Sequence, residues 1–137
     1  MIVFTRSAYD AIVDHAVDGI PHEICGVLGG EYDEDRSVVT RVEPAANVSE
    51  TPETRYYMDP AEQLERIDDI EEDGAAVAGF YHSHPAGPTL PSETDVDRAT
   101  WPGYSYVIVA LDGQPYVGSW RWSEDAGRFE QEIVRIE

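Results

Sequence analysis

The sequence predicts an α/β fold, a mixed β-sheet with flanking helices. Three observations carry that expectation: stretches with apolar residues at helical spacing, short apolar runs bounded by glycine or acidic turns, and the alternation of the two along the chain. At 137 residues the chain suits one domain, 1–137, large enough for a proper core and too short for a second.

Taken in order, Thr5 or Ser7 caps a first helix whose apolar stripe is Tyr9, Ile12, Val13, Ala16 and Val17, with Gly19 as its stop. Residues 24–29 and 37–42 read as strands joined by an acidic turn. Asp59-Pro-Ala-Glu62 is a capping box with proline at the first helical position, and Leu64, Ile67 and Ile70 form the stripe of a second helix before Gly74. The run 75–81 is apolar and suits a buried strand. A short helix ends near Trp101. Strands at 104–111 and 116–122 come next, joined across Asp112-Gly113 by a loop too long for the tightest hairpin. A last strand covers 128–136 after the turn at 125–127. There are no repeats or low-complexity tracts.

Chemistry concentrates at the end of the buried strand. His82 and His84 are two residues apart, so on a continuing strand they share a face. Ser92-Glu-Thr-Asp95 reads as a helix start with Ser92 as N-cap, which brings a hydroxyl and a carboxylate close together. Two imidazoles and one carboxylate leave a fourth position for water, the pattern of a catalytic zinc site. A closed cysteine-rich site is impossible with Cys25 as the sole cysteine. The same donors accept Fe(II), Mn(II) or Co(II), and a two-His-one-carboxylate iron oxygenase is the minor alternative.

The run His82-Ser-His84-Pro, then Ser92 and Asp95, with an upstream Glu23 in the segment 21–30, resembles the JAMM (MPN+) metalloprotease family. The likeness extends to Tyr57-Met-Asp-Pro60 and to the strand at 106–109, and so covers most of the chain. It implies a cytidine-deaminase-like α/β sandwich, zinc (Zn2+) held by His82, His84 and Asp95, Glu23 as general base, and Ser92 as hydrogen-bond donor to the oxyanion. It further implies an isopeptidase that cuts after the C-terminal glycine of a ubiquitin-like modifier, freeing it from lysine or from a linear fusion. A peptidase that processes the C-terminus of a sulfur-carrier protein is the alternative within hydrolases, and a modifier-binding module that does not cut is the alternative outside them. Spacing alone does not place Glu23, whose role rests on the resemblance.

Other motifs are absent. His22-Glu23 opens like the zincin pattern, but Gly26 stands where the second histidine belongs. Zinc deaminases of the Pro-Cys-x-x-Cys type need cysteines this chain lacks, and no glycine-rich phosphate loop occurs. Several residues have plainer expectations. Cys25 reads as a small buried thiol, His15 as a solvated residue on the polar edge of the first helix, and Trp120 with Trp122 as one apolar strand face in a core or subunit contact. Segment 43–56 is long and poor in apolar residues, and reads as a lid over the substrate.

Asp and Glu number 28 against 9 basic residues, a net charge of −19, and every basic residue is Arg. An acidic, lysine-free chain fits a cytoplasmic, halophilic protein working in molar salt, where the Debye length falls to about 3 Å and self-repulsion is tolerated. The same charge disfavours nucleic acid and anionic membrane as partners. No 18-residue apolar run is present, and a lone cysteine fits a reducing compartment. Oligomeric state is not readable from these features.

Overall fold

The computed structural model describes residues 1–137. In chain order the elements are β1 (Ile2–Phe4), α1 (Arg6–Gly19), β2 (Cys25–Glu31), β3 (Ser37–Ala45), α2 (Pro60–Glu72), β4 (Ala76–His84), α3 (Glu93–Arg98), β5 (Ser105–Ala110), β6 (Tyr116–Ser123), β7 (Arg128–Glu132) and β8 (Val134–Ile136). All eight strands join one mixed sheet in the order β7-β6-β5-β4-β2-β3-β1-β8. The predicted mixed α/β class is therefore the observed one.

Helices α1 and α2 are each N-capped by a residue the sequence names, although Glu62 pairs with Arg66 and closes no capping box with Asp59. The Thr5 side chain accepts from Ala8 N, and the Asp59 side chain accepts from Ala61 N ahead of Pro60. The buried stripes are narrower than expected. In α1, Ala8, Ile12 and Ala16 face the sheet, spaced four apart, while Val17 points to solvent at 45% exposure. In α2 only Ile70 is fully buried, and Leu64 is 61% exposed. Six residues of α-helix turn Leu64 about a third of a circle away from Ile70, which leaves Arg66 and Ile67 nearer the sheet.

Two elements differ from expectation. Three residues show no period, so β1 was not legible, yet it is the fully buried parallel neighbour of β3 and β8. The single strand expected over 128–136 is two strands at opposite ends of the sheet order. At Ile133 the chain leaves β6 for β1, and Ile133 O accepts from Ile2 N at 2.9 Å. A sheet whose two ends are joined by one residue must curl, and β6 and β8 come into contact. Glu132 secures this closure: its carboxylate accepts from Ser105 Oγ (2.6 Å), Ser119 Oγ (2.8 Å) and Arg121 Nε (2.9 Å) and pairs with the Met1 amino group at 3.0 Å.

Each face of the sheet has its own apolar cluster. Alpha-helix α1 covers Phe4, Leu28, Ala78, Tyr81, Val107 and Val109. On the opposite face α2 closes over Cys25, Val27, Val77, Phe80 and Tyr106 through Ile70. A register shift between Leu28 and Gly29 leaves Ala78 as an extra residue in β4. The extra residue sets the phase of β4 from Gly79 to its end, because a one-residue slip would send His82 and His84 to the other face. No helix is long and apolar enough to cross a membrane.

Candidate metal centre

Strand β4 runs to His84, and His82 lies opposite Cys25 of β2. Both imidazoles are buried, with their Nε2 atoms 3.1 Å apart, and Asp95 Oδ2 lies 3.2 Å from each. Helix α3 delivers that carboxylate. Asp95 N donates to Ser92 Oγ at 3.1 Å and Ser92 N donates to Asp95 Oδ2 at 2.8 Å, the expected capping box.

Three lone-pair atoms converging in this way match a tetrahedral metal. Ligands about 2.05 Å from a zinc ion sit roughly 3.3 Å from one another. The ring orientation agrees, since His84 Nδ1 lies 2.8 Å from Pro88 O, a bond only an Nδ1–H can make to a carbonyl, so that in the neutral ring Nε2 carries the lone pair. Burial lowers the His82 pKa and keeps that ring neutral. Burial alone would raise Asp95, but hydrogen bonds from His82 and His84 in their protonated forms and from Ser92 N outweigh it and hold the carboxyl well below the usual range in the metal-free protein.

Glu23 also borders the two histidines. Ligand atoms of Glu23, His82 and His84 all lie within 4.8 Å of one another, so this carboxylate as well as Asp95 borders the pair. Asp95 is in direct contact with both rings, which makes it the better third ligand. Two backbone bonds hold Glu23: its N donates to Pro52 O at 2.7 Å, and its O accepts from Asn47 Nδ2 at 2.9 Å. Its side chain is 6% exposed, and burial raises the carboxyl to about 7, against an opposing pull from His84. A group that gains and loses a proton near neutrality suits proton transfer. Glu23, His84 and Ser92 line a cleft of about 210 Å³ with Thr54 and Gly87. Ser92 Oγ accepts from Asp95 N, so its own proton remains available to the cleft. All five residues singled out in the sequence thus meet at one place.

Supporting residues were not legible beforehand. Tyr56 stacks on His82, Pro88 O orients His84, and Asn47 with Pro52 fixes Glu23; each lies in a loop without a spacing signal. The expected lid is instead a wall. Residues 43–45 belong to β3, Asn47 bridges Met58, and the loop between them is bonded to the Glu23 backbone. His15 also differs from expectation, since its Nδ1 lies 2.7 Å from the hydroxyl of buried Tyr81. That hydroxyl needs a partner once removed from water. Cys25 is fully buried and its thiol is pushed up to about 12 by burial, so it carries no thiolate at neutral pH. Trp120 is core, opposite Tyr106.

Residues 5–123 match the family described as prokaryotic homologs of the JAB domain. The chain belongs to that family. Among relatives of this JAB-domain protein, a desampylase of Haloferax volcanii is 42% identical over 121 residues, 85% of this chain and 86% of its own length. A probable TtuB-protein conjugate cleaving protease of Thermus thermophilus is 38% identical over 72% of this chain and 63% of its own. A CysO-cysteine peptidase of Mycobacterium tuberculosis is 37% identical over 80% of this chain and 73% of its own. The solution structure of a Desulfitobacterium hafniense protein superposes with a TM-score of 0.88 at 34% identity, covering 100% of this chain and 93% of that one.

Proposed function

We propose that this JAB-domain protein is a zinc-dependent isopeptidase that hydrolyses the bond after the C-terminal glycine of a ubiquitin-like modifier, freeing it from lysine conjugates or linear fusions. The observation that carries the proposal is the convergence of His82, His84 and Asp95 on one point, with Glu23 beside them in a cleft open to substrate. The names of the desampylase and the conjugate-cleaving relative support it.

His82 Nε2, His84 Nε2 and Asp95 Oδ2 would hold the ion. Bound there, zinc would supply Lewis acidity to water and to the scissile carbonyl. Glu23 takes the proton from the attacking water and passes it to the departing amine, which is a poor leaving group until protonated. The Ser92 hydroxyl donates to the oxygen that gains negative charge as the carbonyl is attacked. Pro88 O holds the His84 ring throughout. The acidic, lysine-free chain and buried thiol suit a cytoplasm of high internal salt.

The CysO-cysteine peptidase relative favours a second reading, in which the same groups remove one amino acid from the C-terminus of a carrier protein. One experiment separates the two. Purified protein in molar KCl is incubated with lysine conjugates, linear fusions and single-amino-acid adducts of the same glycine-ending ubiquitin-fold protein, with chelator and Glu23→Gln as controls. Chelator-sensitive release from conjugates, absent in Glu23→Gln, is expected. Cleavage of the single-amino-acid adduct alone selects the second reading. No cleavage by folded, zinc-loaded protein overturns both.

A further inference from the structure

Of the nine arginines, Arg36, Arg41, Arg66, Arg121, Arg128 and Arg135 are ion-paired, whereas Arg6, Arg55 and Arg98 are not. Two of the three unpaired arginines line the same pocket. Arg55 and Arg98 border a space of about 370 Å³ with Ser49, Thr51 and Tyr57. Glu50 is also on its wall but reaches neither guanidinium within 4.0 Å. The Arg98 guanidinium lies 5.1 Å from the Tyr57 ring centroid and donates to Tyr56 O, so its side chain is held in place.

This pocket does not stand alone. Tyr57 and Arg98 also border a second cavity of about 380 Å³, lined by Phe80, Trp101, Tyr106 and Asp97. Tyr56 lines that cavity too, and the same ring stacks on His82. The two pockets therefore form a continuous surface, cationic and then apolar, that ends one aromatic ring away from the candidate metal centre.

We propose that Arg55 and Arg98 receive an acidic side chain of the modifier protein, while an apolar residue next to it in the modifier enters the cavity beyond Tyr57. This rests on the isopeptidase reading and deepens it by naming what is recognised. Guanidinium groups suit the task because each offers a planar pair of donors to a carboxylate, a contact that relies on geometry as well as charge and so persists in part in concentrated salt. The sign of the effect is diagnostic. The net charge of −19 favours a basic ligand, so a preference for an acidic one has to come from a local site.

The test uses fluorescein-labelled peptides that end in glycine amide-linked to an aminocoumarin. Each upstream position carries in turn Asp beside Leu, or Lys beside Leu. Binding is read by anisotropy on the Glu23→Gln protein, and cleavage by coumarin release on the wild type. Arg55 is exposed and its side chain makes no hydrogen bond, so Arg55→Glu should fold normally. At one position the Asp peptide should bind about fivefold more tightly than its Lys counterpart, with the order inverted in Glu23→Gln/Arg55→Glu. Tighter binding of the Lys peptides at every position, or an Asp preference that survives Arg55→Glu, overturns the site. Cleavage without charge preference removes the site and leaves the isopeptidase. Charge preference without any cleavage does the reverse.

Discussion

The ring of Tyr56 lies stacked on the imidazole of His82, centroids 4.2 Å apart and planes inclined by 22°. One loop residue thus fixes the plane of a buried strand histidine whose Nε2 lies 3.2 Å from Asp95 Oδ2. Groups that orient a ligand are typically worth 10- to 100-fold in metal affinity. Tyr56→Ala should weaken zinc binding by about tenfold, measured by competition with a chromophoric chelator. Tyr56→Phe, which keeps the stacked ring, should bind as the wild type does. Equal affinity in Tyr56→Ala would show that β4 alone orients His82.

Glu23 offers a pH signature in the metal-free protein. Its carboxyl is raised from 4.5 to about 7 by burial, so the folded state holds a proton that the unfolded state has released across that interval. Its contribution to stability is complete below about 4.5 and is lost as pH rises towards 7. His82 is shifted the opposite way, so the total curve mixes both effects. Comparison with Glu23→Gln isolates one of them. In chelator, thermal melts of the variant and wild type should agree near pH 4.5 and diverge as pH rises, with the variant more stable by up to about 3 kcal/mol above pH 7. A constant difference across this range would place an ionised Glu23 in the folded protein at every pH tested.

The donor residues were legible because local rules place them. Alternation puts His82 and His84 on one face, and a helix cap puts Asp95 beside Ser92; both are short-range facts of chain geometry. What joins the two segments is the turn of Pro85, Pro88 and Pro91, whose path no periodicity describes. Glu23 lay beyond spacing altogether, since the pairing of β2 with β4 brings it to the site. Closure of the sheet was hidden for the same reason. Nothing in residues 128–136 signals a change of partner at Ile133, which depends on β1 being available at the far edge.

Gly26 marks where that β2–β4 pairing has no slack. A Cβ there would stand 2.4 Å from Tyr81 Cε1 and 2.6 Å from Glu43 O. The tyrosine is 1% exposed and tied to His15, and the carbonyl belongs to the neighbouring strand, so neither can withdraw cheaply. Gly26→Ala should cost more than about 2 kcal/mol in denaturant unfolding, at the upper end for overpacking. Gly26→Ala/Tyr81→Phe should recover little of it, because the ring-carbon and backbone contacts both remain and only the hydroxyl is removed. Full recovery in the double variant would assign the strain to the tyrosine hydroxyl alone.

Glu132 answers to pH with the opposite sign from Glu23. Burial would raise its pKa, yet hydrogen bonds from Ser105, Arg121, the Met1 amino group and Ser119 together lower it. A carboxyl depressed in the folded state adds stability above its unfolded value of 4.5, and that stability is lost as pH falls through this region. Arg121 is mostly buried beside it and also donates to Met1 O and Ser37 Oγ, so removing the carboxylate leaves a cation without its counter-charge at the seam where β6 meets β1 and β3. Glu132→Gln should therefore lose about 3 kcal/mol at neutral pH, with the difference from wild type shrinking as the buffer is taken below about pH 4. Replacing both partners, Glu132→Leu with Arg121→Met, should restore part of the loss, since the costly element is the unpaired charge. If the single variant unfolds at the wild-type denaturant midpoint, the seam is held by strand pairing without the ion pair.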